Sequence, residues 1–376
     1  MNRTLEKLPY LREDASTHPH GRGFLSRYFI FLLLVAYGLA AIFPSVGNWV
    51  RSDPSSEASG SGKPLSPSLI MLGLLLFNAG LGLGREQLAP LLRRPLVPIV
   101  ALGITLCIPV GLLLTLSLLL PIAAPGELGE LNAILIGLTL VAAMPIANAS
   151  AAWTQNADAN MAVSLGLVCS STFLAPVTAP LVLPFLAGFL APGHQEALNH
   201  LANSFGGSFV LLWVILPTIL GILVRAWMGP SRIHAAAPYV RSANAINLLA
   251  LNYTHASAFL PGFFAESQFR LLTVTLAAAL LYCTSTSAIG WMTGRLLKAE
   301  PPERIAVMFA VGMKNNGVAL VLASLFMADY PTSSLTIVFC TLCQHLVAAG
   351  ALSLCQPHLQ SEPKLAPHDP GNELEP

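Results

Sequence analysis

From residue 28 to residue 354, long apolar stretches alternate with short polar turns. The apolar stretches fall at about 28–43, 67–84, 96–120, 131–157, 159–190, 205–227, 243–260, 271–293, 304–327 and 332–354. A bilayer is crossed by about 20 apolar helical residues, so the pattern predicts an all-α polytopic membrane protein with ten transmembrane helices. The connectors are a Ser/Gly/Pro loop at 47–67, basic turns at 85–95 and 295–304, an acidic turn at 121–130, and a basic loop carrying Arg225, Arg232 and Arg241. Glycines at 73, 80, 82 and 84 mark a face on which another helix can approach closely. The stretch 243–260 is unusually polar: Asn244, Asn247 and His255 share roughly one helical face, which predicts that it faces protein or water and not lipid.

Two of the stretches are interrupted. The fourth breaks at Met144-Pro145-Ile146-Ala147-Asn148-Ala149-Ser150, where proline removes a backbone donor. Asn148 or Ser150 can cap the helix that resumes. Asp158 reads as a solvated turn residue before the fifth stretch, which carries Ser164, Ser170, Ser171 and Thr172. The ninth breaks at Gly312-Met313-Lys314-Asn315-Asn316-Gly317. Lys314 lies at least ten residues from either end of its stretch, roughly 15 Å of helix, too deep to snorkel. A charge there costs at least about 2.5–3.5 kcal/mol and marks a functional site. An unwound backbone at that depth is tolerated only where it lines a cavity or is buried in protein. Asn315, Asn316 and unwound carbonyls are the expected acceptors for the ammonium.

Composition agrees with the pattern: 54% of the 376 residues are apolar and 10% charged, with a mean hydropathy of +0.67. A net charge of +1 leaves no footprint for nucleic acid. With both termini in the cytoplasm, fifteen Lys and Arg fall in inner segments and three, Arg51, Lys63 and Arg270, in outer loops. The positive-inside rule therefore places the termini inside the cell membrane. Cys340 and Cys343 share a helical face and read as packing residues, since a zinc site needs four ligands. Ten spans divide into five and five, and the fourth member of each half is the broken one. Interrupted helices at corresponding places in two halves are the sequence pointer to a transporter's binding site, and odd-numbered halves insert as inverted repeats. Helix N-termini meeting at the breaks favour an anion.

The motifs GMKNNGVALVLAS, MPIANASAAW followed by NMAVSLGLVCSSTFLAP, and LGLGREQLAPLLRRP resemble the bile acid:sodium symporter family over roughly residues 27–356. The residues divide the chain into a disordered cytoplasmic tail at 1–26, five-helix repeats at 27–190 and 203–356, and a polar C-terminal tail at 357–376. The resemblance implies a panel domain of spans 1, 2, 6 and 7 and a core domain of spans 3, 4, 5, 8, 9 and 10. The broken helices 4 and 9 cross at the substrate and sodium sites. The substrate positions implied are Asn148, Ala149, Ser150, Lys314, Asn315, Asn316 and His345. The ion-coupling positions are Ser150, Ser164, Ala310, Met313 and Lys314. This chain departs from the family there. Ala310 stands for a sodium-binding glutamate, Lys314 for a glutamine, Thr105 for a second glutamine, Ala151 for an asparagine and Val168 for a threonine. The reading that follows is an alternating-access carrier of an organic anion in the lipid bilayer, bile-acid-like or a small carboxylate. It is sodium-independent, with the Lys314 ammonium replacing a bound sodium or carrying a coupled proton. No cofactor, metal or catalytic residue is assigned. The rival readings are a sodium-coupled symporter, a cation/proton antiporter-like carrier, which normally wants an aspartate at the crossing, and a membrane binding protein that does not transport. No enzyme motif such as HExxH or GxSxG stands on a plausible turn.

Overall fold

The computed structural model describes residues 28–51, 67–82, 96–123, 128–188, 195–196, 198–199, 202–203, 211–265, 268–327 and 330–360. These are almost entirely helical. In chain order the helices are α1 (Phe29–Ile42), α2 (Pro44–Arg51), α3 (Pro67–Gly82), α4 (Leu96–Ala123), α5 (Leu128–Ala143), α6 (Ala149–Asn156) and α7 (Met161–Ala187). They continue as α8 (Leu216–Met228, entered through a π-helical turn at Leu211–Ile215), α9 (Pro230–Ala265), α10 (Phe269–Leu296), α11 (Pro301–Gly312), α12 (Asn316–Phe326) and α13 (Pro331–Gln360).

Among the described residues, five helices are long and apolar enough to cross a membrane: α4, α7, α8 with its π-helical turn, α10 and α13. The bent pair α1 and α2, which turns by 93°, makes a sixth. The remaining apolar stretches fall short for visible reasons. Helices α3, α5 and α12 are apolar but shorter than a bilayer is thick, α5 and α12 because each ends or begins at a break. Helix α9 has 36 residues but carries Asn244, Asn247, Asn252 and His255.

Several boundaries differ from those read in the sequence. Gly47–Arg51, expected in a loop, is helical, because the bare face of Gly47 lets α2 lie against Ser257 and Thr254 of α9. Arg232 and Arg241, also expected in a loop, lie inside α9, which begins directly after Gly229. That glycine adopts φ +80°, a turn that a side chain would strain. Helix α13 continues through Gln360, beyond the expected start of the polar tail at 357. Residues 1–26 lie outside the described residues, as does Gly84.

Close packing follows the small residues. Gly80 of α3 and Gly221 of α8 face each other: a Cβ on Gly221 would stand 2.9 Å from the Gly80 Cα, and one on Gly80 3.0 Å from the Gly221 Cα. Helix α9 packs on α1, α2 and α3, and part of its polar face is spent on neighbours. Asn247 Nδ2 donates to the Met71 carbonyl at 2.8 Å, His255 is fully buried, and Asn252 Oδ1 lies 3.0 Å from the Tyr37 hydroxyl. The same hydroxyl stands 2.9 Å from the carbonyl of Val338 on α13, tying α1 and α9 to α13. Cys340 and Cys343 are buried free thiols, in keeping with packing residues.

The Gly80–Gly221 approach yields a stability prediction. Gly221→Val forces backbone apart and is expected to cost about 1–3 kcal/mol. Gly82→Ala, with open space around its Cα, is expected to leave the melting temperature unchanged. Thermal melts of the detergent-solubilised variants check both; equal melting temperatures would show that the α3–α8 contact is not tight.

Candidate functional site at the crossing of two broken helices

The two breaks meet. Ile146 and Lys314 form an isolated antiparallel bridge, in which Ala147 N donates to the Met313 carbonyl at 3.0 Å and Asn315 N to the Pro145 carbonyl at 2.9 Å. Each break is also pinned by a side chain from the long helix that follows it. Ile146 N donates to Ser171 Oγ of α7 at 3.0 Å, and Lys314 N to Gln344 Oε1 of α13 at 3.2 Å. The breaks thus meet in a single antiparallel bridge, and the backbone groups named here find partners within the protein, as an apolar interior requires.

Local sequence explains why the half-helices begin and end here. Pro145 has no N–H with which to continue α5. Asn315 caps α12 by accepting from Val318 N at 3.4 Å. Asn160 caps α7 in the same way at 3.1 Å, and its own N–H donates to the Pro302 carbonyl, tying the start of α7 to the start of α11. Helix α11 opens with Glu300 and Glu303 in a capping box that encloses Pro301 and Pro302. Asn148 precedes α6, but its side chain makes no capping bond. Asp158 is exposed and takes φ +50°, the turn between α6 and α7.

Lys314 is 2% exposed. Its Nζ donates to the carbonyls of Thr105 in α4 at 3.2 Å and of Met144 at the end of α5 at 3.3 Å. The expected acceptors Asn315 and Asn316 do not take that role, because the Asn315 oxygen is engaged as a cap and Asn316 points elsewhere. Asn316 is 3% exposed, and neither polar atom of its side chain has a partner among the described residues. The described acidic residues are Glu130, Asp158, Glu196, Glu300 and Glu303, and none pairs with Lys314. A cavity of about 20 Å³, room for roughly one water, adjoins the ammonium and is bounded by Thr105, Ser171, Leu174 and Thr178.

The geometry sorts helix ends by sign. The C-termini of α5 and α11, with partial negative charge, and the N-termini of α6 and α12, with partial positive charge, all reach the crossing. The ammonium sits at the end of α5. The N-termini of α6 and α12 carry Asn148 and Asn315, both half-buried.

Residues 27–354 match the family described as the SBF-like CPA transporter family. The chain belongs to the SBF-like CPA transporter family. Two relatives come from Bacillus subtilis (strain 168). One, "Uncharacterized protein YbaS", is 24% identical over 310 residues, covering 76% of this chain and 93% of its own. The other, "Uncharacterized sodium-dependent transporter YocS", is 25% identical over 301 residues, covering 80% of this chain and 83% of its own. The apolar helices and the transporter family make this an integral membrane protein.

Within this family member, half of the positions that the resemblance assigns to sodium are apolar. Ala310 and Val168 lie in one buried apolar cluster with Ile146, Val163 and Val311. Ser150 and Ser164 are fully buried with their hydroxyls 3.5 Å apart. Met313 and the half-buried Ala149 pack in a neighbouring apolar cluster. No group of three or more His, Cys, Asp or Glu side chains that could hold a metal occurs among the described residues. His345 is buried on α13, with Nδ1 2.7 Å from the Thr341 carbonyl and its ring against Phe29 and Trp153. Sequence reasoning missed Gln344. Its signal was present: a Gln-His pair in the middle of an otherwise apolar stretch.

Removing the Gln344 acceptor leaves the Lys314 N–H buried and unpaired, at a cost of about 1–3 kcal/mol. Gln344→Met is therefore expected to lower the melting temperature more than substitution of the exposed Gln155 by Met. A thermal melt of each variant decides it; equal effects would mean that Gln344 does not pin the break.

Proposed function

We propose that the protein is an alternating-access carrier of an organic anion, and that Lys314 takes the place of a coupling sodium. The observation that carries this is the buried ammonium held by two main-chain carbonyls at the crossing. A monovalent cation bound by carbonyl oxygens is what a sodium site provides, and here the cation is covalently attached. With the negative helix end so occupied, the positive N-termini of α6 and α12 remain for the substrate's anionic group. Asn148 and Asn315 orient that group, with Ala149, Ser150, Asn316 and His345 behind them. Lys314 works through the breaks and the local field, since its Nζ is directed to α4.

The finer architecture belongs to the same proposal. Ten spans in two inverted five-helix repeats bring both breaks to mid-membrane. Spans 3, 4, 5, 8, 9 and 10 move as a core against a panel of spans 1, 2, 6 and 7. The Lys and Arg asymmetry puts both termini in the cytoplasm and the carrier in the cell membrane. The relative named as a sodium-dependent transporter raises sodium coupling as the competing reading. Ala310 and Val168 in an apolar cluster favour the sodium-independent one. The small cavity beside Lys314 favours a second form of it, in which a water relays a coupled proton to the amine.

The test is a thermal-shift screen of the purified protein against organic anions, in sodium and in sodium-free buffer, followed by uptake into proteoliposomes. Stabilisation and uptake independent of sodium are expected, and Lys314→Ala is expected to abolish uptake or change its ion dependence. Ligand stabilisation that requires sodium, or unaltered uptake by Lys314→Ala, would sink the role given to the lysine. Binding without uptake would identify a non-transporting protein. Uptake that follows an imposed pH gradient would select the proton-carrying form.

A further inference from the structure

The two sides of the crossing are packed differently against α3 and α9. At the start of α12, a Cβ on Gly317 would stand 3.3 Å from Leu75 of α3 and 3.3 Å from Leu251 of α9, so backbone and leucines meet there with no gap. Tyr37, bonded to Val338 and beside Asn252, closes the same level. Helices α3 and α9 both pack on α12, but neither packs closely on α6 or α11. On that second side Arg241 of α9 reaches across to α6, where its exposed guanidinium donates to Gln155 Oε1 at 3.3 Å. Leu251 and Arg241 are ten residues apart on α9, about 15 Å of helix.

Between the leucine seal and the arginine bridge, α3 and α9 present carboxamides. Asn78 is one turn beyond Leu75, and Asn247 and Asn244 are one and two turns beyond Leu251. All three are half-buried. Asn78 Nδ2 and Asn244 Oδ1 stand 3.5 Å apart, at the limit of a hydrogen bond. Asn247 spends its Nδ2 on Met71 and keeps its oxygen. On the crossing side of the seal stand Asn315, whose oxygen caps α12, and Asn148, whose side chain makes no capping bond. No charged side chain lies on the turns of α3 and α9 between Leu75, Leu251 and Arg241.

We propose that Asn78, Asn244 and Asn247 are specificity-determining residues that read hydroxyl or amide groups on the uncharged part of the substrate while the crossing holds its anionic end. This rests on the organic-anion reading above and deepens it. A carboxamide offers a donor and an acceptor, which matches a hydroxyl or an amide and adds no attraction for a second charge. The substrate class is then a hydroxylated or amide-bearing monoanion no longer than about 15 Å. A plain alkyl carboxylate leaves these amides unpaired and is discriminated against.

The experiment uses the full-length protein in detergent. Its probes are two matched pairs, gluconate with hexanoate and cholate with cholanate, each titrated by thermal shift below micellar concentration. The wild type is expected to prefer the hydroxylated member of at least one pair by about tenfold or more. Asn244→Leu and Asn78→Leu are expected to erase that preference while keeping the affinity for the deoxygenated member. Asn244→Ser, small and still polar, covers the case in which the leucine variants do not fold, and is expected to retain part of the preference. A wild type that binds anions with no hydroxyl preference overturns this inference alone. So does a preference unchanged in the variants, or equal loss of both members in a folded variant. A wild type that binds none of the four overturns it together with the organic-anion reading.

Discussion

An interrupted helix in a low-dielectric interior must satisfy its freed backbone groups, and this chain does so by pairing one interruption with another. Each unpaired N–H or carbonyl there costs several kcal/mol. The Ile146–Lys314 bridge satisfies a set of them at once, and Ser171 and Gln344 satisfy the outward-facing N–H on each strand. The two half-helix pairs are therefore mutually dependent, because neither break is stable without the other. The tight helix approaches, such as α10 against α11 where Gly290 and Gly294 face Met308 and Arg304, hold this pair in register.

The lysine follows from the same constraint. Proline at 145 ends α5 and leaves the Met144 carbonyl without its helical donor, and an ammonium supplies one. A charge so placed is costly in isolation, but two carbonyls and a helix C-terminus offset the cost without a carboxylate. The arrangement is self-contained in a way that an ion-binding site is not. A sodium site gains and loses its occupant, whereas the Lys314 amine is tethered to its own chain and stays at the crossing.

Much of this was legible in the sequence, and for definite reasons. Met144–Ser150 and Gly312–Gly317 announce their breaks through proline, paired glycines and amides inside apolar runs, signals that need no tertiary information. Asp158 as an exposed turn follows from local chemistry, but the cap expected of Asn148 is not made by its side chain, and the capping asparagine is Asn315. What escaped is what depends on a partner. The acceptors of Lys314 are main-chain carbonyls, which have no residue type to read, so the neighbouring asparagines were the natural but mistaken expectation. Gln344 acts across the fold, and its role cannot be seen until α13 is placed beside the break. The extra length of α9 escaped because Arg232 and Arg241 look like loop residues, although long basic side chains are equally at home on a helix end that reaches the interface.

Helix α9 changes character along its length. Its residues near Asn252 and Thr254 are buried against α1, α2 and α13. Two turns earlier the same face carries Asn247 and Asn244, half-exposed and only partly committed. The change occurs at Leu251, beside Gly317, at the level where α12 begins. The amides beyond that level bond to α3, Asn247 to the Met71 carbonyl and Asn244 to Asn78. Leu251 therefore stands where one face of α9 passes from full burial to half-exposure, against the glycine at the start of α12, so the contact that fixes α12 on α9 also fixes where that face begins to meet its surroundings.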